Sequence, residues 1–124
     1  MYELAVKTNF IAQHFLTGGD WGSENVKHSH HYQIEVQLRG KALDQHGFVA
    51  DIVIVKNQLE KLAAEFRDRT LNELPGFKNI NPSIENLARV AYQLLTPESG
   101  KAGVVDLTVK VWEDEIAWVA YDGE

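Results

Sequence analysis

The chain has 124 residues, no cysteine and a formal net charge of −6. This length predicts a single domain over residues 1–124. The missing cysteines exclude disulfides, cysteine-ligated metal clusters and thiolate nucleophiles. The acidic balance argues against nucleic acid as a partner. No stretch approaches the roughly 20 apolar residues of a membrane span, and the first residues lack the apolar core of an export signal. We therefore expect no membrane partner and a cytoplasmic location.

The predicted elements run in the order strand, strand, helix, helix, strand, strand. Period-2 alternation predicts strands over residues 2–9, 28–39, 105–112 and 116–121, the last two forming a hairpin. The segment 17–27 is rich in Gly, Asp, Ser and Asn and predicts a long loop. This order has no βαβ alternation, so it predicts an α+β fold in which two helices cover one face of a four-stranded antiparallel sheet.

Both helices carry recognisable start signals. The first is predicted to begin after Asp51 as N-cap and to run to about Arg67. The second is predicted to use Asn81 as N-cap, with Pro82 in its first turn, and to stop at residues 97–100. In both segments the apolar residues recur at helical spacing, which predicts one buried stripe on each helix.

Histidines give the sharpest local pattern in the chain. On a strand, His28 and His30 point to the same face and His31 to the opposite one. With His14, which apolar residues flank, they offer three neutral imidazoles and an open position, as in a catalytic zinc site. An exposed strand start and a hydrogen-bonded buried His14 explain the pattern as well. We interpret His31 as structural and His46 as solvent-exposed.

Two carboxylates stand out near predicted element ends. Glu113 has the parity of the apolar stripe that precedes it, so its charge needs a cationic or hydrogen-bonding partner or an escape to water. Glu85 falls in the first turn of the second helix, where the helix dipole alone would favour a carboxylate.

Six segments in order make the chain resemble the 6-pyruvoyl-tetrahydropterin synthase and 6-carboxytetrahydropterin synthase family. The resemblance spans essentially the whole chain. The matching residues are Phe10, Ala12 and His14; His28-Ser29-His30-His31-Tyr32; Gly47, Asp51 and Lys56; Leu71-Asn72-Glu73-Leu74-Pro75-Gly76; Asn81-Pro82-Ser83-Ile84-Glu85-Asn86-Leu87-Ala88; and Glu113 with Tyr121.

The resemblance implies the tunnelling fold (T-fold), with subunits assembled into trimers and hexamers. It implies Zn²⁺ bound by His14, His28 and His30. The implied substrate class is 7,8-dihydroneopterin triphosphate, with Glu113 anchoring the amino-pyrimidine edge of the pterin through a bidentate pair. Glu85 and Ser83 match a second substrate-binding position.

The chain departs from the family at its catalytic groups. Glu24 stands where the family has its catalytic cysteine, and Arg67-Asp68 replace an Asp-His pair. Glu24 and Asp68 are therefore the candidate catalytic residues. One branch of the family carries Glu in place of the cysteine and cleaves the pterin side chain to 6-hydroxymethyl-7,8-dihydropterin. The alternative for Glu24 is a solvated residue of a mobile loop.

Three functional hypotheses follow. The first is a zinc-dependent lyase that cleaves the side chain of dihydroneopterin triphosphate or a close relative. The second is a 6-carboxytetrahydropterin synthase of queuosine biosynthesis, with Glu24 replacing the thiol. The third is an inactive paralogue that binds zinc and pterin. In each case a small-molecule pterin is the expected ligand and a homo-oligomer, trimer or hexamer, the expected assembly.

Overall fold

An antiparallel sheet of four strands carries the helices on one of its faces. The computed structural model describes residues 1–99 and 103–124. Its strands and helices are β1 (Tyr2–His14), β2 (His28–Gly40), α1 (Ile52–Phe66), α2 (Ile84–Ser99), β3 (Val104–Trp112) and β4 (Trp118–Tyr121). The strands are neighbours in the order β1-β2-β3-β4, and every pair is antiparallel. The predicted β-β-α-α-β-β order and α+β class are confirmed.

Two strands differ in length from the prediction. β1 runs on to His14 because it pairs with β2 along its whole length, from Tyr2 opposite Gly40 to His14 opposite His28. β4 begins only at Trp118. The residues before it form a turn in which the Asp114 carboxylate accepts hydrogen bonds from the amides of Ile116 and Ala117, both at 2.9 Å.

The first helix starts as predicted and the second does not. The Asp51 carboxylate accepts a hydrogen bond from the Val53 amide, which caps α1. In α2, however, Ser83 is the cap, because its hydroxyl accepts from the Asn86 amide at 3.1 Å. Asn81 is instead bonded to Thr17. The predicted stop covered residues 97–100, but the helix includes residues 97–99, and Gly100 lies outside the described residues.

The core lies between the sheet and the two helices. Even-numbered residues of β1 and β2 face it, and odd-numbered residues of β3 join them. The largest of its fully buried side chains are Tyr32, Phe10, Phe66 and Phe77. Neither helix that the structure describes is long and apolar enough to cross a bilayer.

Hydrogen bonds fix the loop that joins β1 to β2. The Leu16 amide donates to the Glu24 carbonyl at 2.8 Å, and the Asn25 side-chain amide donates back to the Leu16 carbonyl at 2.9 Å. Asn81 receives the Thr17 amide and donates to the Thr17 carbonyl, at 2.9 and 3.1 Å. The loop is thereby held against the start of α2, and a short 3₁₀ turn over Gly22–Asn25 presents Glu24 toward the strand ends.

Candidate metal centre and binding cavity

Three histidine side chains converge where β1 ends and β2 begins. His14 and His28 are directly opposite each other in the strand pair, and His30 faces the same side two residues along β2. The His28 Nε2 atom lies 3.0 Å from His14 Nε2 and 3.0 Å from His30 Nε2. Around a tetrahedral zinc with Zn–N bonds near 2.0–2.1 Å, neighbouring nitrogens are about 3.3 Å apart. The three rings are therefore spaced almost as metal ligands are.

In His14 and His28, the hydrogen bond made by Nδ1 fixes the orientation of the ring and therefore the direction in which Nε2 points. His14 Nδ1–H donates to the Pro82 carbonyl at 2.8 Å, and His28 Nδ1–H donates to the Val26 carbonyl at 2.7 Å. In the neutral rings, Nε2 then carries no proton. Two bare nitrogens facing each other at 3.0 Å repel unless a cation lies between them. The residues present therefore fit a metal cation, and the carbonyls of Pro82 and Val26 orient two of the rings that could hold it.

Glu24 completes this group. Its Oε2 atom is 2.5 Å from His28 Nε2 and is buried without a hydrogen-bond donor among the described residues. The possible ligand atoms of Glu24, His14, His28 and His30 all lie within 4.8 Å of one another. The carboxylate is thus positioned both to neutralise a cation and to take up a proton at the same place. The hydrogen bond from the Leu16 amide to the Glu24 carbonyl holds the backbone here, and the Glu24 side chain is 39% exposed.

Glu113 faces the cluster from the other side. Its Oε1 atom is 3.1 Å from His30 Nε2, the same nitrogen that lies 3.0 Å from His28. Burial lowers the pKa of His30, and the Glu113 carboxylate acts in the opposite direction. A single Nε2 cannot both donate a proton to Glu113 and offer a lone pair to a metal. If His30 held a metal through Nε2, the Glu113 carboxylate would be free to accept hydrogen bonds from a ligand.

A cavity of about 420 Å³ adjoins this carboxylate. It is lined by Asn9, His31, Tyr32, Gln33, Glu113, Asp114 and Glu115. The cavity lies at the end of the sheet because β3 pairs with β2 only as far as Gln33 opposite Trp112, which leaves the start of β2 without a partner on that side in the described chain. Its volume is within the range of small-molecule sites.

The remaining predicted residues lie outside the histidine cluster. Asp68 lines a separate cavity of about 540 Å³ together with Arg67, and none of the three clustered histidines lines it. Ser83 caps α2, and Glu85 is exposed in the first turn of that helix. The substrate-binding roles of Ser83 and Glu85 and the catalytic role of Asp68 stay predictions.

The other two histidines have different environments. His31 lies on the opposite face of the sheet, where its Nε2 is 3.0 Å from the Asn9 side-chain oxygen. His46 is exposed beside the turn that begins at Asp44. Backbone amides, chiefly that of Phe48, donate to the Asp44 carboxylate and lower its pKa. Neither histidine joins the cluster, in agreement with the sequence interpretation.

Two features of the site were not predicted. The orienting carbonyls of Pro82 and Val26 depend on backbone positions that no residue type reveals. Tyr32 was named only as part of a matching motif, although its ring packs on the rings of His30 and His14 at centroid distances of 5.6 and 6.1 Å. Its parity with His28 and His30 on β2 was the signal that could have placed it in the site.

Comparison with known proteins agrees with this arrangement. The chain is similar in structure to 6-pyruvoyl tetrahydropterin synthase from Caenorhabditis elegans, with 22% identity, a TM-score of 0.85 and coverage of 99% of this chain and 96% of that chain. The Plasmodium vivax synthase follows with 18% identity, a TM-score of 0.81 and coverage of 98% and 96%. An uncharacterized protein from Wolinella succinogenes has 17% identity, a TM-score of 0.77 and coverage of 99% and 98%.

These structural similarities identify the fold as that of 6-pyruvoyl tetrahydropterin synthases, the T-fold. Two further similar structures are of P. vivax synthase variants in which a catalytic glutamate is replaced by alanine or by cysteine. A search of curated proteins found no match. A family model described as 6-pyruvoyl tetrahydropterin synthase matches residues 3–124 of the chain. The chain therefore belongs to the 6-pyruvoyl tetrahydropterin synthase family of pterin-processing lyases.

Proposed function

We propose that the protein is a zinc-dependent lyase that cleaves the side chain of 7,8-dihydroneopterin triphosphate or a close relative. The observation that carries this proposal is the close approach of the His14 and His28 Nε2 atoms, which lie 3.0 Å apart while backbone carbonyls hold the other nitrogen of each ring. With His30 they would hold the metal through three imidazoles. Zinc held there would supply Lewis-acid polarisation.

Glu113 would bind the pterin. Two adjacent N–H donors on the amino-pyrimidine edge match the two oxygens of one carboxylate in a bidentate, charge-assisted pair. The position of Glu113 supports this role, because it borders both the 420 Å³ cavity and the histidine cluster. A pterin ring in the cavity would extend its side chain toward the histidines.

Glu24 would act as the base. Its Oε2 atom would take the proton of a side-chain hydroxyl, the adjacent C–C bond would break, and a proton would return to the carbon that stays on the ring. The products would be 6-hydroxymethyl-7,8-dihydropterin and a phosphorylated aldehyde, so atoms and electrons balance without a redox partner. The buried, donor-free Oε2 beside His28 supports this role, as does the catalytic glutamate of the P. vivax relative.

The test is product analysis after incubation of the zinc-loaded protein with 7,8-dihydroneopterin triphosphate. A 6-hydroxymethyl-7,8-dihydropterin product supports the proposed cleavage. A 6-carboxytetrahydropterin product would contradict it and would indicate the synthase reaction of queuosine biosynthesis instead. Glu24→Gln should abolish turnover while the protein keeps one zinc per chain at micromolar concentration. Glu65→Gln, which removes an exposed carboxylate from α1, is the matched control and should remain active. Full activity of Glu24→Gln would contradict the role of Glu24.

A second candidate function is binding of pterin and zinc without turnover. The observation that favours it is the position of Asp68, which replaces a family histidine and lines the separate cavity with Arg67 instead of the histidine cluster. Retention of zinc and of a pterin, with no product at any pH, would favour this function over the lyase.

We also infer that the protein acts as a homo-oligomer. β1 and β4 are the edge strands of the described sheet, and free strand edges invite pairing with another chain. Ile11 and Trp118 project from these edge strands and are 47% and 51% exposed. Light scattering on the purified protein should therefore give a multiple of 14.0 kDa, a trimer or a hexamer, and a monomer at every concentration would contradict the inference.

A further inference from the structure

Tyr32 is the largest fully buried side chain in the described chain, and it lies beside the histidine cluster. It follows His28 and His30 on the same face of β2. One side of its ring stacks on Phe10 at a centroid distance of 5.4 Å, and His30 and His14 pack against it at 5.6 and 6.1 Å. The ring is therefore fixed in place between the core and the candidate metal centre.

The hydroxyl of Tyr32 has no hydrogen-bond partner among the residues that the structure describes. Burying a hydroxyl without a partner is costly, and buried polar groups in native proteins are nearly always paired. Phenylalanine would fill the same space, as Phe10 does on the neighbouring strand, so packing does not explain the oxygen. A partner supplied from outside the chain does explain it.

The surroundings of the ring indicate where that partner lies. Tyr32 lines the 420 Å³ cavity together with Glu113, and it also packs on two of the histidines. A tyrosine hydroxyl carries one O–H group that can donate a hydrogen bond. The Tyr32 hydroxyl is therefore a hydrogen-bond donor on a ring that packs against the histidine cluster.

We propose that the Tyr32 hydroxyl donates a hydrogen bond to the oxygen of the ligand bound at the histidine cluster. For a pterin, this oxygen belongs to the side chain that extends from the cavity toward the metal, and Tyr32 sets its orientation. This inference rests on the proposed function, because it needs a metal and a ligand with an oxygen donor at this position. It adds a residue that neither binds the metal nor takes up the proton.

The test compares Tyr32→Phe with Tyr2→Phe, which removes an exposed hydroxyl at the far end of β1. Three properties are measured: the melting temperature of the metal-free protein, the zinc content, and the affinity for 7,8-dihydroneopterin. A fourth is the affinity of the cobalt-substituted protein for acetohydroxamate, an oxygen-donor ligand, followed by visible absorption. For Tyr32→Phe we expect an equal or higher melting temperature and unchanged zinc content. Both affinities should fall by about tenfold, the effect of one hydrogen bond, whereas Tyr2→Phe should match the wild type.

Two results would overturn the proposal. If Tyr32→Phe melts several degrees lower and both affinities are unchanged, the hydroxyl has only a structural role. If none of the measured properties changes in Tyr32→Phe, the hydroxyl has no role in ligand binding or in stability. Failure of the wild type to bind dihydroneopterin would count against the proposed function alone, because acetohydroxamate still tests Tyr32. A wild type that binds no metal would refute both.

Discussion

Substitution of one histidine at a time separates metal ligands from their neighbours on the same strand. His28 and His31 belong to one four-residue motif but lie on opposite faces of β2. His28 Nε2 is 3.0 Å from the Nε2 atoms of both His14 and His30, so it is the centre of the cluster. His31 contacts Asn9 instead. We predict that His28→Ala abolishes stabilisation by zinc and that His31→Ala preserves it.

The expected size follows from the linkage between metal binding and folding. A ligand present at 100 times its dissociation constant stabilises the folded state by about 2.7 kcal/mol. For a domain of this length, 1 kcal/mol shifts the melting temperature by about 3–6 °C. Zinc should therefore raise the melting temperature of the wild type by roughly 8–16 °C. Without His28, the two remaining imidazoles and Glu24 bind too weakly to produce this shift at the same zinc concentration.

The assay is thermal unfolding of each protein with excess zinc and with a chelator, combined with metal analysis after dialysis. Wild type and His31→Ala should both show the shift and one zinc per chain. His28→Ala should melt at the same temperature in zinc and in chelator. The metal assignment would be refuted by His28→Ala protein that keeps one zinc per chain and the full shift, or by an equal loss in His31→Ala.

Three further predictions concern pH, the ligand and the core. In the metal-free protein, burial lowers the pKa of His30. The contribution of neutral His30 to stability is therefore present above the unfolded-state pKa of about 6.5 and is lost as the pH falls through the folded-state pKa. The melting temperature should drop between pH 7 and 5, and His30→Gln should flatten that part of the plot of melting temperature against pH. Glu113→Gln should keep one zinc per chain but weaken dihydroneopterin binding by roughly 10- to 100-fold, because the charge-assisted pair is lost. Fluorescence titration measures this affinity, and an unchanged affinity would exclude Glu113 as the residue that anchors the pterin. Leu59→Ala, at a core position that is 1% exposed, should cost about 2–5 kcal/mol in urea unfolding, and a cost below 1 kcal/mol would contradict its place in the core.

The parts of the fold that were predictable depend on local periodicity. Alternation placed β2 correctly and put His28 and His30 on one face, because successive side chains of a strand point to opposite sides. The cap of α1 at Asp51 was also predictable, since one side chain and the next two residues decide it. His14, which lies fourteen residues before His28, was proposed as the third ligand because apolar residues flank it, and the resemblance to the family implied the same set of three.

Errors arose where a side chain was engaged by a distant part of the chain. Asn81 has the residue type of an N-cap, but its amide group is bonded to Thr17, so the cap passes to Ser83. The end of β1 at His14 depends on pairing with β2, which no pattern within residues 10–14 reveals. The orientation of the His14 ring likewise requires the Pro82 carbonyl, which the fold brings to it from the start of α2.

Glutamate in place of cysteine changes the reference pKa of the candidate base more than it changes the charge of its deprotonated form. A carboxylate and a thiolate carry the same charge, so either balances a dication held by three neutral imidazoles to the same extent. Their reference pKa values differ, about 4.3 for glutamate and 8.5 for cysteine. At neutral pH the carboxylate is therefore already deprotonated, whereas a thiol must first lose its proton. The Oε2 atom of Glu24 lies 2.5 Å from His28 Nε2. A carboxylate is a weaker base than a thiolate. Zinc held by His14, His28 and His30 would acidify a hydroxyl of the ligand. Under the proposed function, a carboxylate base would therefore remove that proton more readily than a less acidic proton on carbon, as side-chain cleavage requires.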